Sequence, residues 1–174
     1  MNRMIRLLAA ALFVLIAPVA FAQSETLNDT QIAAIVVAAN SVDIDAGKLA
    51  EKKSTNKDVQ AFARQMVTDH TAVNKQATDL VKKLNVTPQE NATSKSLKEG
   101  GETNLAKLRK LQGKDFDKAY IDNEVTYHQT VLDAVDKTLI PNAKNAELKN
   151  TLVKVRPIFV DHLEHAKQIQ ASHK

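Results

Sequence analysis

With 174 residues, of which 44% are apolar and 25% charged, the chain is too apolar to be disordered and has the length of one folded domain. It has no cysteine, which excludes disulfides, zinc fingers and iron–sulfur clusters, and its aromatic content of 4% is too low for a surface that stacks single-stranded nucleic acid. The formal net charge is +4 and falls to +2 without residues 1–22, which carry two arginines and no acid, so we do not expect nucleic acid as a partner.

The first 22 residues have the three parts of a bacterial secretory signal. Two arginines precede an apolar run from Leu7 to Ala17, and the small residues of Ala20-Phe21-Ala22 suit signal peptidase. The run is shorter than the roughly 20 residues that a membrane span needs. We therefore expect cleavage after Ala22, a domain of residues 23–174 without a membrane span, and a periplasmic or secreted location. An uncleaved anchor is the alternative.

The remaining chain predicts four long helices, each with one apolar stripe. Apolar residues recur every three or four positions, and no segment alternates with the period of two that is typical of a strand. Amphipathic helices of similar length can bury their stripes only against one another, so the pattern predicts an all-α four-helix bundle. The predicted helices cover residues Asp29–Lys53, Lys57–Leu84, Asp115–Leu139 and Asn145–Ala171.

The connections between these helices predict the topology of the bundle. The first and third links are short, which favours antiparallel hairpins. The middle link, Asn85–Lys114, is long and predicts a short helix at Ser94–Leu111 that Gly100-Gly101 interrupts. It can cross the length of the bundle, as in the ferritin-like connectivity. The alternative is an up-down bundle with a long loop.

Four polar residues break the apolar stripes at similar heights. His70, His128 and His162 each have apolar neighbours on their stripe, and Asp43 lies at the edge of the first helix's stripe. All four lie within about one turn of the midpoint of their predicted helix. Because the midpoints of packed antiparallel helices of equal length share a layer, we expect the four side chains to meet in the core.

Three interpretations of this cluster stay open at the level of sequence. Imidazoles and a carboxylate are good ligands for a transition metal ion such as Zn, Fe, Cu or Mn. The same groups can form a hydrogen-bonded network without metal, or some of them can reach solvent. The chain has no Glu-x-x-His motif, which argues against a ferritin-type di-iron oxidase. The nearby polar residues that could support the cluster are Asp69, Glu124, Tyr127, Asp161 and His165.

Several of these segments resemble a family of secreted bacterial proteins known as domain of unknown function 4142, often labelled predicted outer membrane proteins. The resemblance implies a ferritin-like bundle and a location outside the cytoplasm, and it carries no settled activity. Asp43 stands where the family usually has a glutamate. The segments that carry the resemblance are residues 39–50, the run 62–70 with its Met-Val-Thr-Asp-His end, residues 120–128 and the pair His162-Leu163.

Together these observations predict an exported ferritin-like protein with a binding or stress-related role in the cell envelope, without enzymatic activity. The alternative is a metal-binding protein or a metal-dependent redox enzyme that uses the central cluster. A protein or a metal ion is the expected partner. The two classes differ in one structural feature, because an enzyme needs a cavity that reaches the cluster from solvent.

Overall fold

Helices account for almost the whole of the chain that the structure, a computed structural model, describes. The described residues are 26–172, so the predicted secretory signal and its cleavage site lie outside them. No strand occurs within residues 26–172, and the predicted all-α helical bundle is confirmed. The helices are α1 (Asp29–Lys53), α2 (Lys57–Lys83), α3 (Ala92–Lys110), α4 (Gly113–Ala134), α5 (Ile140–Asn142) and α6 (Ala146–Ser172), with a π-helical turn at Val135–Leu139 between α4 and α5.

The ends of the helices follow from local capping chemistry. At the start of α1, the Gln31 N–H donates to the Asn28 side chain at 2.9 Å, while the Asn28 N–H donates to the Gln31 side chain at 3.0 Å. This reciprocal capping box satisfies two N–H groups that a helix start leaves without partners. Lys52 and Lys53 lie in the last turn of α1, where a positive charge interacts favourably with the helix dipole.

The crossover helix α3 runs alongside α1 in the same direction. At one end, the Asn91 side-chain amide donates to the Gln31 carbonyl at 3.1 Å. At the other end, the Lys53 ammonium donates to the Leu108 carbonyl at 3.3 Å. The chain therefore goes along α1, returns along α2, and travels back beside α1 before α4 begins. This is the predicted ferritin-like connectivity, with α1 and α2 as one hairpin and α4 and α6 as the other.

Gly100 and Gly101 do not interrupt α3, so that part of the sequence-based prediction was wrong. A methyl group on Gly101 would lie 2.7 Å from Cγ2 of Val42 on α1, whereas one on Gly100 would meet nothing within 4 Å. The absence of a side chain at Gly101 thus allows α3 to approach α1 closely. Docking against α1 offsets the weak helix preference of the two glycines.

Together, α4, the π-helical turn and α5 extend beyond Leu139, the predicted end of the third predicted helix. In the π-helical turn, the Ile140 N–H donates to the Val135 carbonyl, five residues back instead of four. Pro141 has no N–H to continue the ordinary pattern, and helical backbone nevertheless continues to Asn142. The wider turn leaves Val135 and Leu139 buried in the core.

The apolar core has two ends, and the midpoints of the long helices lie between them. One end is built around Phe62, Met66 and Phe116, and the other around Ile32, Leu80 and Leu148. Among residues 26–172, no helix combines the length and apolarity that crossing a bilayer requires.

Candidate metal centre

One polar side chain from each of the four long bundle helices enters the middle of the core. Asp43 comes from α1, His70 from α2, His128 from α4 and His162 from α6, and none is more than 3% exposed. The His70 ring centre lies 5.5 Å from that of His128 and 5.1 Å from that of His162, and the last two are 5.3 Å apart. The structure therefore brings together all four residues that the helical stripes singled out.

The orientation of the His70 ring is set by Asn40 and Phe159. The Nδ1–H of His70 donates to Oδ1 of Asn40 at 2.7 Å. The amide nitrogen of Asn40 donates to the Val36 carbonyl at 2.7 Å, which identifies Oδ1 as the acceptor facing the ring. The Phe159 ring stacks on His70 at 5.3 Å and 10°. Nδ1 is thus protonated, and Nε2 of His70 is directed at Oδ2 of Asp43, 3.1 Å away.

Asn40 is a site residue that the sequence analysis missed. It is 2% exposed and lies three residues before Asp43 on α1. Residues three apart share a helix face, so a polar side chain at this spacing on an apolar stripe was the available signal.

His128 and His162 are held in the same manner, each by one ring nitrogen. Nδ1–H of His128 donates to the Glu124 carbonyl at 3.0 Å, one turn earlier on α4. Nε2–H of His162 donates to Oδ2 of Asp69 at 2.9 Å, across the α2–α6 interface. A carbonyl and a carboxylate accept only, so the opposite nitrogens, Nε2 of His128 and Nδ1 of His162, carry lone pairs.

The three remaining ring nitrogens and the Asp43 carboxylate face one another. Oδ2 of Asp43 lies 3.1 Å from Nε2 of His70 and 3.5 Å from Nε2 of His128. Nε2 of His70, Nε2 of His128, Nδ1 of His162 and both oxygens of Asp43 are buried without a hydrogen-bond partner. One ligand atom from each of the three histidines lies within 4.8 Å of the other two. A buried carboxylate surrounded by imidazole nitrogens attracts positive charge, either a proton or a metal cation.

Glu124 joins this cluster, although the sequence analysis placed it only as a supporting residue. Ligand atoms of Asp43, Glu124 and His128 lie within 4.8 Å of one another, and Oε2 of Glu124 is buried without a hydrogen-bond partner. Burial raises the pKa of Glu124 well above its ordinary value, and the neighbouring Asp43 raises it further. Without a bound cation, Glu124 therefore keeps its proton.

Burial and charge set the protonation of the other members. Burial alone would raise the pKa of Asp43, but the facing His70, with further help from His128 and His162, brings it below its ordinary value. Burial lowers the pKa of His128, and it lowers that of His162 to about 4 against the opposing hydrogen bond to Asp69. A carboxylate and neutral imidazoles are the forms that bind metal.

The other predicted supporting residues have different places. The Tyr127 hydroxyl donates to the Ala39 carbonyl at 2.9 Å and so ties α4 to α1. His165 packs edge-on against Phe62 at 5.3 Å, with Nδ1 3.2 Å from Oε1 of Gln65. Asp161 is exposed on α6 and does not join the cluster.

A cavity of about 140 Å³ adjoins the cluster. Asp43, His70 and His128 form one wall, and the exposed residues Thr93 and Thr130 lie at its border. The rest of the lining is almost entirely apolar. The cluster is thus buried in the bundle but lies next to a space that leads toward the surface between α3 and α4.

Comparison with known proteins identifies a family but no characterised relative. A family model described as "Domain of unknown function (DUF4142)" matches residues 17–169. Comparison with curated proteins and with solved structures finds no match. The function must therefore be argued from the site itself.

Proposed function

The chain belongs to the DUF4142 family, and we propose that its core binds a divalent transition metal ion through Asp43, His70, His128 and His162. The observation that carries this proposal is the arrangement of the histidines. Each donates one N–H to a partner outside the cluster, while its other ring nitrogen faces the other two histidines, and those of His70 and His128 also face Asp43. Histidines that bind metal in proteins are held in this way, with the second nitrogen hydrogen-bonded outside the site.

The spacing between the groups supports the same proposal. Ligands about 2.1 Å from one metal ion, at angles between octahedral and tetrahedral, are about 3.0–3.4 Å from each other. The Asp43 oxygen lies 3.1 Å from His70 and 3.5 Å from His128. The metal-free alternative requires a proton between Asp43 and His70, whose Nε2 lies 3.1 Å from the carboxylate, in place of the metal ion. Glu124 can add a second carboxylate when a cation displaces its proton.

The donor set restricts the type of ion. Three imidazoles and one carboxylate suit Zn, Fe, Cu or Mn, whereas Ca and Mg prefer an all-oxygen set. The chain has no Glu-x-x-His motif. In addition, His128 belongs to both groups of possible ligands, one formed with His70 and His162 and the other with Asp43 and Glu124. Both features differ from the symmetric di-metal pattern of ferritin-like carboxylate proteins.

Metal-dependent unfolding tests the proposal. Untagged protein is stripped of metal, checked by elemental analysis and heated with and without each of Zn²⁺, Fe²⁺, Cu²⁺ and Mn²⁺. An ion bound only by the folded state at 100 times its Kd adds about 2.7 kcal/mol to the free energy of unfolding. We expect at least one ion to raise the midpoint of wild type, and we expect His128→Leu to lose most of that rise.

A matched control separates the cluster from histidines in general. His165→Leu removes a histidine from α6 outside the cluster, so this variant should keep the wild-type response to metal. If His128→Leu does not fold, His162→Leu replaces it. A wild-type midpoint that no ion moves overturns the proposal, as does a His128→Leu variant that responds as strongly as wild type.

A metal-dependent redox enzyme is the second candidate function, and the observation behind it is the adjoining cavity. A cluster that serves only as a structural or binding element can be closed on all sides, whereas a reaction needs space for a substrate beside the ion. The cavity of about 140 Å³ lies beside Asp43, His70 and His128, but the oxygens of Asp43 and the inward nitrogens of the two histidines are closed off from it, so a substrate would reach the ion only after a side chain moves. Hydrogen peroxide is a first substrate to test, with the metal-stripped protein as the control. Peroxide consumption that is equal with and without metal contradicts this role.

We further propose that the protein is exported and works in the cell envelope. The support is the three-part signal of residues 1–22 together with the cysteine-free domain that follows. Mass spectrometry of the protein from the envelope fraction should find an N-terminus at Gln23. Recovery of the intact chain beginning at Met1 contradicts cleavage.

A further inference from the structure

The proposed metal ligands are buried, so an ion has to pass between helices to reach them. The cavity beside Asp43, His70 and His128 offers no such path, because its lining is almost entirely carbon and the ligand atoms are closed off from it. A hydrated cation would lose its water there without gaining polar partners, which costs much free energy. The route of entry therefore lies on another side of the cluster.

The three acceptors that hold the histidines from outside the cluster differ in their access to solvent. Asn40 and Glu124, which supply two of them, are 2% and 1% exposed. The side chain of Asp69, which supplies the third, is 35% exposed. Of the three contacts, only the one between Asp69 and His162 therefore connects a ligand of the cluster with solvent.

This contact lies in a polar seam between α2 and α6, formed by Gln65, Asp69, His162 and His165. Nε2–H of His162 donates to Oδ2 of Asp69 at 2.9 Å. One turn away, Oε1 of Gln65 lies 3.2 Å from Nδ1 of the half-buried His165. Residues three or four apart are neighbours on a helix face, so the two polar pairs follow one another along the seam. In contrast to the cavity, this side of the bundle presents polar atoms to an incoming ion.

Asp69 also carries a charge that no basic side chain balances. Among residues 26–172, no lysine or arginine lies within ion-pair distance of its carboxylate, which is paired with His162. A partly exposed carboxylate without a basic partner attracts cations from solution, because the charges interact across the water that separates them. Asp69 is thus placed to capture a cation at the surface, one imidazole away from the cluster.

We infer that metal ions enter the core through the seam between α2 and α6, with Asp69 as their first contact and the His162 side chain as the gate. A cation that binds Oδ2 of Asp69 competes with Nε2–H of His162 for the same oxygen. Loss of this hydrogen bond frees the imidazole, which separates Asp69 from the cluster, to rotate and let the ion pass. When the ring returns, Nδ1 again faces the other two histidines. The inference rests on the proposed metal site and adds the path that controls the rate of uptake.

Stopped-flow mixing of metal-stripped protein with Co²⁺ tests this route, because the visible absorption of Co²⁺ changes when it binds nitrogen ligands. Asp69→Asn keeps the size of the side chain and removes its charge. We expect the second-order rate constant of uptake to fall about tenfold, the lower end of the range over which charge changes association rates. Added salt should slow wild type more than this variant, because salt screens the attraction. If Asp69 only held His162 in place, the variant would lose affinity through faster dissociation alone.

Two control variants test whether the effect belongs to the seam. Asp79→Asn removes the same charge from α2 about 15 Å further along the helix and should take up Co²⁺ at the wild-type rate. Ala134→Leu fills part of the carbon-lined cavity and should also leave the rate unchanged. An Asp69→Asn variant that is as fast as wild type, or no slower than Asp79→Asn, overturns the route even if metal binds. A marked fall for Ala134→Leu overturns it as well, because it would show entry through the cavity.

The same variants are compared with Zn²⁺ and a zinc indicator if wild type does not take up Co²⁺. If wild type takes up neither ion, the route is overturned together with the proposed metal site. Uptake by wild type at a rate that Asp69→Asn shares overturns the route alone.

Discussion

The close approach of α3 to α1 at Gly101 predicts that Gly→Ala substitutions at Gly100 and Gly101 change the free energy of unfolding differently. A methyl group on Gly101 would lie 2.7 and 2.8 Å from the two Cγ atoms of Val42, and 3.3 Å from its Cβ. Gly100, one residue earlier, has nothing within 4 Å of the same position. A Gly→Ala substitution therefore adds the same methyl group to α3 at both positions. At Gly101 the methyl group is crowded by Val42, and at Gly100 it meets no neighbour.

The expected magnitudes follow from helix preference and overpacking. Alanine in place of glycine stabilises an exposed helix interior by about 0.5–1 kcal/mol. Gly100→Ala should gain this amount. Gly101→Ala gains it too but must displace Val42, and overpacking of this kind costs about 1–3 kcal/mol. The two variants should thus differ by about 1–3 kcal/mol in their free energy of unfolding, with Gly101→Ala the less stable.

Urea unfolding followed by circular dichroism at 222 nm measures this difference. The double variant Gly101→Ala/Val42→Ala provides the control, because the smaller side chain removes the overlap and should recover most of the cost of the Gly101 change. A midpoint for Gly101→Ala equal to that of Gly100→Ala would refute the packing of α3 against α1 described above. A double variant that recovers nothing would show that Val42 is not the source of the cost.

Three further predictions concern the cluster and a helix start. Asp69→Asn weakens the acceptor that holds Nε2–H of His162, so the affinity for the stabilising ion should fall about 10–100-fold in a titration, while His165→Leu leaves it unchanged. Tyr120→Phe removes a buried hydroxyl that has no hydrogen-bond partner. The free energy of unfolding of the metal-free protein in urea should therefore stay the same or rise by about 1 kcal/mol, and a loss above about 1 kcal/mol would reveal a partner for that hydroxyl. Asn28→Ala removes the side chain that caps α1 and should cost about 0.5–2 kcal/mol by the same measurement, in contrast to a change of no more than about 0.5 kcal/mol at the exposed Ala106→Ser.

Much of the fold was predictable from the sequence because an amphipathic helix is recognised from the local spacing of its apolar residues. The apolar stripes and the short links predicted α1 within its observed bounds and the ends of α2 and α6 within one residue. Placing Asp43, His70, His128 and His162 near helix midpoints predicted that they would share a layer. That inference needed only the fact that antiparallel helices of equal length align at their centres.

The features that the sequence left undetermined depend on contacts between segments far apart in the chain. Two adjacent glycines usually weaken a helix, and only the packing of Gly101 against Val42 shows why α3 continues through them. The π-helical turn before Pro141 likewise reflects the burial of Val135 and Leu139, which local helix preference does not report.

The chemistry of the cluster was decided at the same tertiary level. The sequence by itself predicted that three histidines and one aspartate meet in the core, with three interpretations left open: a metal site, a hydrogen-bonded network, or side chains that partly reach solvent. Each histidine donates one ring N–H, and the acceptors Asn40, the Glu124 carbonyl and Asp69 determine which one. Two of these three acceptors lie on a different helix from the histidine that donates to them. The sequence shows that an imidazole able to bind metal is present. Which of its ring nitrogens faces the cluster depends on the positions of the neighbouring acceptors, which only the tertiary structure provides.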